Sequence, residues 1–149
     1  MIKIRIHNAK WMQQLIIGPA AAFFAAKLGI RKGTVLIECV SGLRRTDKCR
    51  GMAHKRPGTH RYHIKLERSL GPRALVSCLA HEMIHIHQWV SGKMEDIDGE
   101  RWRVRWGKRT YYSSMAYTRH PWEIEAYRYA PLLVKSWNEL FKIKRHVDK

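Results

Sequence analysis

The first residues alternate apolar and polar, Ile2-Lys3-Ile4-Arg5-Ile6-His7, which predicts a half-buried β-strand. Trp11, Leu15, Ala22 and Ala26 then recur at helical spacing, and Gly29 supplies a stop. This predicts a helix over about residues 10–28, bent at Pro19, with those four residues marking its packed face. Thr34–Val40 (TVLIECV) predicts a buried strand, Ser41–Arg50 a basic turn region and Arg61–Glu67 (RYHIKLE) an alternating strand. Gly71-Pro72 opens a long helix to about Val90, and Ser91–Gly99 predicts an acidic polar loop. Arg101–Trp106 and Arg109–Tyr112 flank Gly107-Lys108, a two-residue hairpin turn. Pro121 fits the first position of a last helix reaching about Ile143. The pattern predicts an α+β domain over residues 1–149, with a small, mostly antiparallel sheet against the long helix and the C-terminal helix.

The helix from Pro72 contains His81-Glu82-Met83-Ile84-His85, an HExxH pattern. Composition predicts roughly 0.03 chance matches in a chain of this length, so the spacing carries information. Residues four apart on a helix differ by only about 40° around the axis, so both imidazoles reach one metal ion. On the same projection Leu75, Leu79, Met83, Ile86 and Val90 form a core face, while Cys78, His81, His85 and Gln88 form a site face. Glu82 lies about 100° from His81, beside rather than among the ligands, where it reaches a water on the metal as general base. His87 points to the other side and is not expected to bind the same ion.

Two histidines leave a hydrolytic zinc site one protein ligand short. The HExxHxxGxxH extension is absent, because Gln88 and Ser91 hold its Gly and third His positions, which excludes a metzincin. The remaining carboxylates lie in His120-Pro121-Trp122-Glu123-Ile124-Glu125-Ala126. Glu123 has a structural role available as the third residue of a helix begun by Pro121, where a carboxylate caps free N–H groups. Glu125 lies beyond that position, where the structural explanation is weaker, and is the expected third ligand, with Glu123 the second choice and His120 the third. Tyr117, Tyr112 and His120 precede it and are candidates for the donor that stabilises a developing oxyanion. Tyr117 is carried forward as the catalytic choice.

An HExxH helix followed by a Glu-Ala pair on a later helix resembles the gluzincin metallopeptidases. Leu79-Ala80-His81-Glu82-Met83-Ile84-His85 also resembles the active-site helix of Spartan-type (SprT-like) DNA-associated proteases. LAHEMIHIHQ, the basic Trp-Gly-Lys hairpin and PWEIEA together resemble short zincin-like proteins of bacteriophages. The resemblance covers roughly residues 60–130. It implies a zincin-like fold, Zn2+ held by His81, His85 and Glu125, peptide hydrolysis with Glu82 as general base, and a substrate strand along an edge strand at Arg61–Glu67. It also implies a protein or peptide substrate. The third histidine that Spartan-type proteins place after the helix is missing from Asp98-Gly99-Glu100-Arg101-Trp102.

Charge opens a different class of function. The chain carries 29 Lys and Arg against 12 Asp and Glu, a formal net charge of +17. Residues 1–75 hold 16 of the cations and 3 of the acids, so a polyanion feels that half most strongly. The alternative to a peptidase is a basic nucleic-acid-binding protein with a structural or vestigial metal site. In Arg101-Trp102-Arg103-Val104-Arg105-Trp106 the aromatic and basic residues fall on opposite faces of a strand. That predicts a buried aromatic face rather than a base-stacking platform.

Three cysteines (Cys39, Cys49, Cys78) form no CxxC pair and leave an odd thiol in any pairing, which favours a reducing compartment. The longest apolar run, Leu15–Ala26, is twelve residues interrupted by Gly18-Pro19, short of the roughly 18 needed to span a bilayer. No membrane partner is expected, and the cytoplasm of a bacterial or phage-infected cell is the expected location.

Overall fold

The computed structural model describes residues 1–43, 50–97, 103–112, 115–116 and 119–147, with side chains of the last helix described as far as Phe141. The described residues form a small α+β fold of three helices and two sheets. The order is β1 (Ile2–His7), α1 (Trp11–Leu28), β2 (Gly33–Val40), β3 (Gly51–Lys55), β4 (Arg61–Glu67), α2 (Pro72–Val90), β5 (Met94–Asp96), β6 (Arg103–Trp106), β7 (Arg109–Tyr112) and α3 (Pro121–Val147).

The larger sheet has strand order β1-β2-β4-β3. Here the structure corrects the sequence reading: β1, β2 and β4 run parallel, and only β3 pairs antiparallel, with β4. The reason lies in the chain order, since an 18-residue helix between two strands is a crossover that returns the chain to the same end of the sheet. Residues 51–55 (GMAHK) lack the β-branched residues that signal a strand, and they form β3 by completing a hairpin with β4. β4 therefore lies inside the sheet, and the edge near α2 belongs to β3, not to Arg61–Glu67.

The inward face of this sheet presents Val35, Ile37, Cys39, Tyr62, Ile64 and Leu66, all buried. α1 and α2 cover that face, and α3 packs on α2 and, through Trp137 against Phe23 and Phe24 (5.4 and 6.2 Å), on α1. α2 is thus enclosed by the sheet, α1 and α3. That explains why Ala80 and Ile84, outside the predicted core face, are as buried as Leu75, Leu79, Met83 and Ile86. Val90, at the helix end, is exposed instead.

On α1 the expected face is reversed. Trp11, Leu15, Ala22 and Ala26 are exposed, and Ile17, Ala20, Ala21, Phe24 and Ala25 carry the core. Gln13 is buried with them, accepting from the Lys10 backbone N–H (2.9 Å) and donating to the Arg68 carbonyl (2.8 Å), which ties the start of α1 to the end of β4. The segment expected to be an acidic loop after α2 contains β5, which pairs antiparallel with β6. β6 and β7 form the expected hairpin, with Gly107 taking the positive φ (59°) that its turn requires. Val104 is buried and Trp106 packs against the core, while Arg105 pairs with Glu95 of β5, as the alternation predicts. Trp102 and Arg101 lie outside the described residues.

Among the described residues no helix is long and apolar enough to cross a membrane. Cys39 is a buried free thiol and Cys78 is disulfide-bonded.

Candidate metal centre

His81 and His85 sit one turn apart in the middle of α2, both less than a tenth exposed. Pro72 starts the helix, and burial of Leu75, Leu79, Met83 and Ile86 on its other side leaves both imidazoles aimed at α3. α3 answers with Glu123. Its Oε2 lies 2.9 Å from His81 Nε2 and its Oε1 lies 3.0 Å from His85 Nε2, and the two Nε2 atoms are 3.2 Å apart. All three side chains are buried, and their ligand atoms lie within 4.8 Å of one another.

This donor set fits a small divalent ion. At zinc–ligand distances of about 2.0–2.1 Å and tetrahedral angles, neighbouring donors stand roughly 3.3 Å apart, close to the spacings seen here. Two imidazole lone pairs and a carboxylate converging without water or a cation is also an arrangement that burial would penalise. Some positive charge must sit among them, either a proton or a metal ion.

Without a metal, His85 takes the proton. Burial alone pushes its imidazolium down from 6.5, but the bonded Glu123 carboxylate, with Glu82 and Gln88 adding to it, outweighs burial and holds the group up at about 9. The raised value makes this interaction fully stabilising below pH 6.5 and lost as pH rises through about 9. Its full size is roughly 3 kcal/mol. The metal-free protein is therefore expected to become less stable between pH 6.5 and 9.5, measured by denaturant unfolding after chelation. A midpoint flat across that window would refute the His85–Glu123 pairing.

Gln88 organises the second layer. Its Oε1 accepts from His85 Nδ1 (2.8 Å), while its Nε2 donates to the Trp122 carbonyl (2.9 Å) and to Glu125 Oε1 (3.2 Å). The amide orientation is fixed by its two acceptors, so His85 carries its proton on Nδ1 and turns Nε2 toward Glu123. Gln88 stands where the metzincin pattern would need glycine, and its place on the site face of α2 was the sequence signal for this role.

Glu125, the expected ligand, stands outside the cluster. Positions two apart on a helix point about 200° apart, so α3 can offer only one of its two carboxylates to the histidines. That one is Glu123, placed second to Glu125 on the sequence because a helix start already explained it. Glu125 holds Gln88 and pairs with Lys93 at 2.8 Å.

Glu82 is buried on the side of α2 facing β3. A Cβ on Gly51 would fall 3.2 Å from Glu82 Oε1, 2.7 Å from Cys78 Sγ and 3.2 Å from the Lys65 carbonyl oxygen. Glycine at this point of β3 lets the edge strand approach the carboxylate. Of the oxyanion candidates, Tyr117 lies outside the described residues. Tyr112 is half exposed on β7, and His120 is buried, stacked on Trp122 (ring centroids 4.6 Å apart). Burial pushes the His120 imidazolium below its usual range, so this ring is neutral at pH 7. Tyr127, not singled out from the sequence, lies one turn after Glu123 and brings its ring to 4.6 Å from that of His81. The i, i+4 relation to Glu123 was the signal for it.

Comparison with protein-family models, curated proteins and solved structures finds no match to this chain.

Proposed function

We propose that this chain is a zinc-dependent metallopeptidase with a zincin-like arrangement, holding the ion with His81, His85 and Glu123. The observation that carries the reading is the convergence of two imidazoles from HExxH and one buried carboxylate from a later helix, with the HExxH glutamate beside them. Zinc in such a site would supply Lewis acidity and lower the pKa of a water to about 7.

The protein groups divide the remaining work. Glu82 is the base: its carboxylate takes the proton from the attacking water and returns it to the leaving amine. Gln88 keeps the His85 ring from rotating during the cycle. The outer edge of β3, which pairs with no other described strand, offers main-chain N–H and C=O groups to an extended peptide next to Glu82, so binding is governed by backbone pairing more than by one side chain.

The reading is tested by reconstitution. Chelator-treated protein is expected to leave labelled casein uncut, and one equivalent of Zn2+ per chain is expected to restore cleavage. Cleavage that survives chelation, or a loaded protein that cuts neither casein nor a mixed peptide library, counts against it.

A further inference from the structure

The face of the larger sheet turned away from α1 and α2 is a grid of cations. Its rows follow from the strand register: Lys3–Thr34–Arg61, then Arg5–Leu36–His63–His54, then His7–Glu38–Lys65–Met52. Four of these positions are Lys or Arg and three are His, against the single carboxylate of Glu38, which lies 3.3 Å from His63 Nε2. At one end of the grid is a cavity of about 560 Å³. Arg5, Arg61, Lys55, Arg56, His54 and His63 line it, and no acid does.

We infer that this open sheet face is a binding site for the phosphate backbone of duplex nucleic acid. The observations select that partner on three grounds. First, the Lys and Arg stand in two lines, Lys3 and Arg5 on β1 roughly 6.7 Å apart and Arg61 and Lys65 on β4, about 9.6 Å away across β2, which suits a partner that carries charge in repeated, parallel lines. Second, three of the cations around the cavity are arginines, whose planar forks match phosphate oxygens. Third, among the described residues the rows of this face carry no Phe, Tyr or Trp, the large rings on which bases stack most strongly. Tyr62, the aromatic at the cavity, is buried and stacked on Trp89 at 6.3 Å, so contacts fall on phosphates and not on bases. Apart from Leu36 and Met52 the rows carry no apolar side chain to anchor in lipid, which disfavours a membrane.

The site lies across the sheet from α2, so it is independent of the metal centre and of the peptidase reading. Lys3, Arg5 and Arg61 are exposed and can be changed without touching the core.

The test is fluorescence anisotropy of the full chain with a labelled 24-base-pair duplex of mixed sequence, across salt concentrations. About six phosphate contacts predict a log–log salt slope near −5. The Lys3→Gln/Arg5→Gln/Arg61→Gln protein is expected to bind at least tenfold more weakly, with the slope reduced to roughly −2.5. Arg73→Gln/Lys108→Gln/Lys135→Gln removes the same charge from exposed positions elsewhere and is expected to stay within about threefold of the parent. Unchanged circular dichroism and zinc content certify both folds. Should the triple variant fail to fold, Arg61→Gln alone must reduce the slope by about one. Equal losses in the two triple variants would overturn the proposal. So would a slope near zero, or tighter binding to poly-glutamate or phosphatidylserine vesicles through the same residues.

Discussion

Replacing Glu123 by Gln is expected to strip the protein of its metal, whereas replacing Glu125 by Gln leaves it loaded. Structural zinc in zinc-finger peptides is bound with about 10–16 kcal/mol shared among its ligands; on that scale, losing the anionic one of three protein ligands weakens binding by roughly 10²- to 10³-fold. Glu123 is that ligand on geometry, with both carboxylate oxygens within 3.0 Å of the imidazoles. Glu125→Gln keeps an oxygen to accept from Gln88 and loses only the pair with Lys93, which is half exposed and contributes at most about 1 kcal/mol. Its zinc affinity should stay within about threefold of the parent. Competition against a chromophoric chelator at pH 7.5 reads both values directly. The reverse order of effects would mean that α3 presents its other face to α2 in the loaded protein.

The contrast between these two carboxylates shows what the sequence could and could not supply. HExxH is local: helical geometry alone joins His81 to His85, and the pattern is legible from five residues. The third ligand depends on how α3 is rotated against α2, which packing decides. Trp122, Ala126 and Ala130 are buried with Glu123, so α3 turns that stripe inward. Reading Glu123 as a helix-start residue was chemically sound; a position can be early in a helix and still face the core.

The same limit explains α1. WMQQLIIGPAAAFFAAKL is apolar on nearly every side, so no periodicity separates the packed face from the exposed one. The buried Gln13 marks the true face through its two backbone bonds, and polar residues inside are invisible to a hydrophobic pattern. Sheet topology was half legible. The order strand, helix, strand implies a parallel pair, but β3 reads as loop until β4 is present to pair with it. The outward rows of that sheet were visible only as scattered Lys and Arg until the register aligned them.

Replacing Glu82 by Gln is expected to abolish cleavage and leave the metal in place. The amide is isosteric and replaces none of the three ligands, so zinc content and thermal stability of the loaded protein should match the parent closely. What it cannot do is accept a proton from water and return it to the amine. General acid–base assistance of this kind contributes about 10²- to 10⁴-fold, and kcat on labelled casein should fall by that amount with KM little changed. The split between kcat and KM separates a proton-transfer role from a structural one. A residue that merely filled the space behind β3, where Gly51 leaves room for it, would alter folding or peptide binding on replacement. Full activity in a zinc-loaded Glu82→Gln protein would show that the carboxylate is packed against the edge strand and takes no part in hydrolysis.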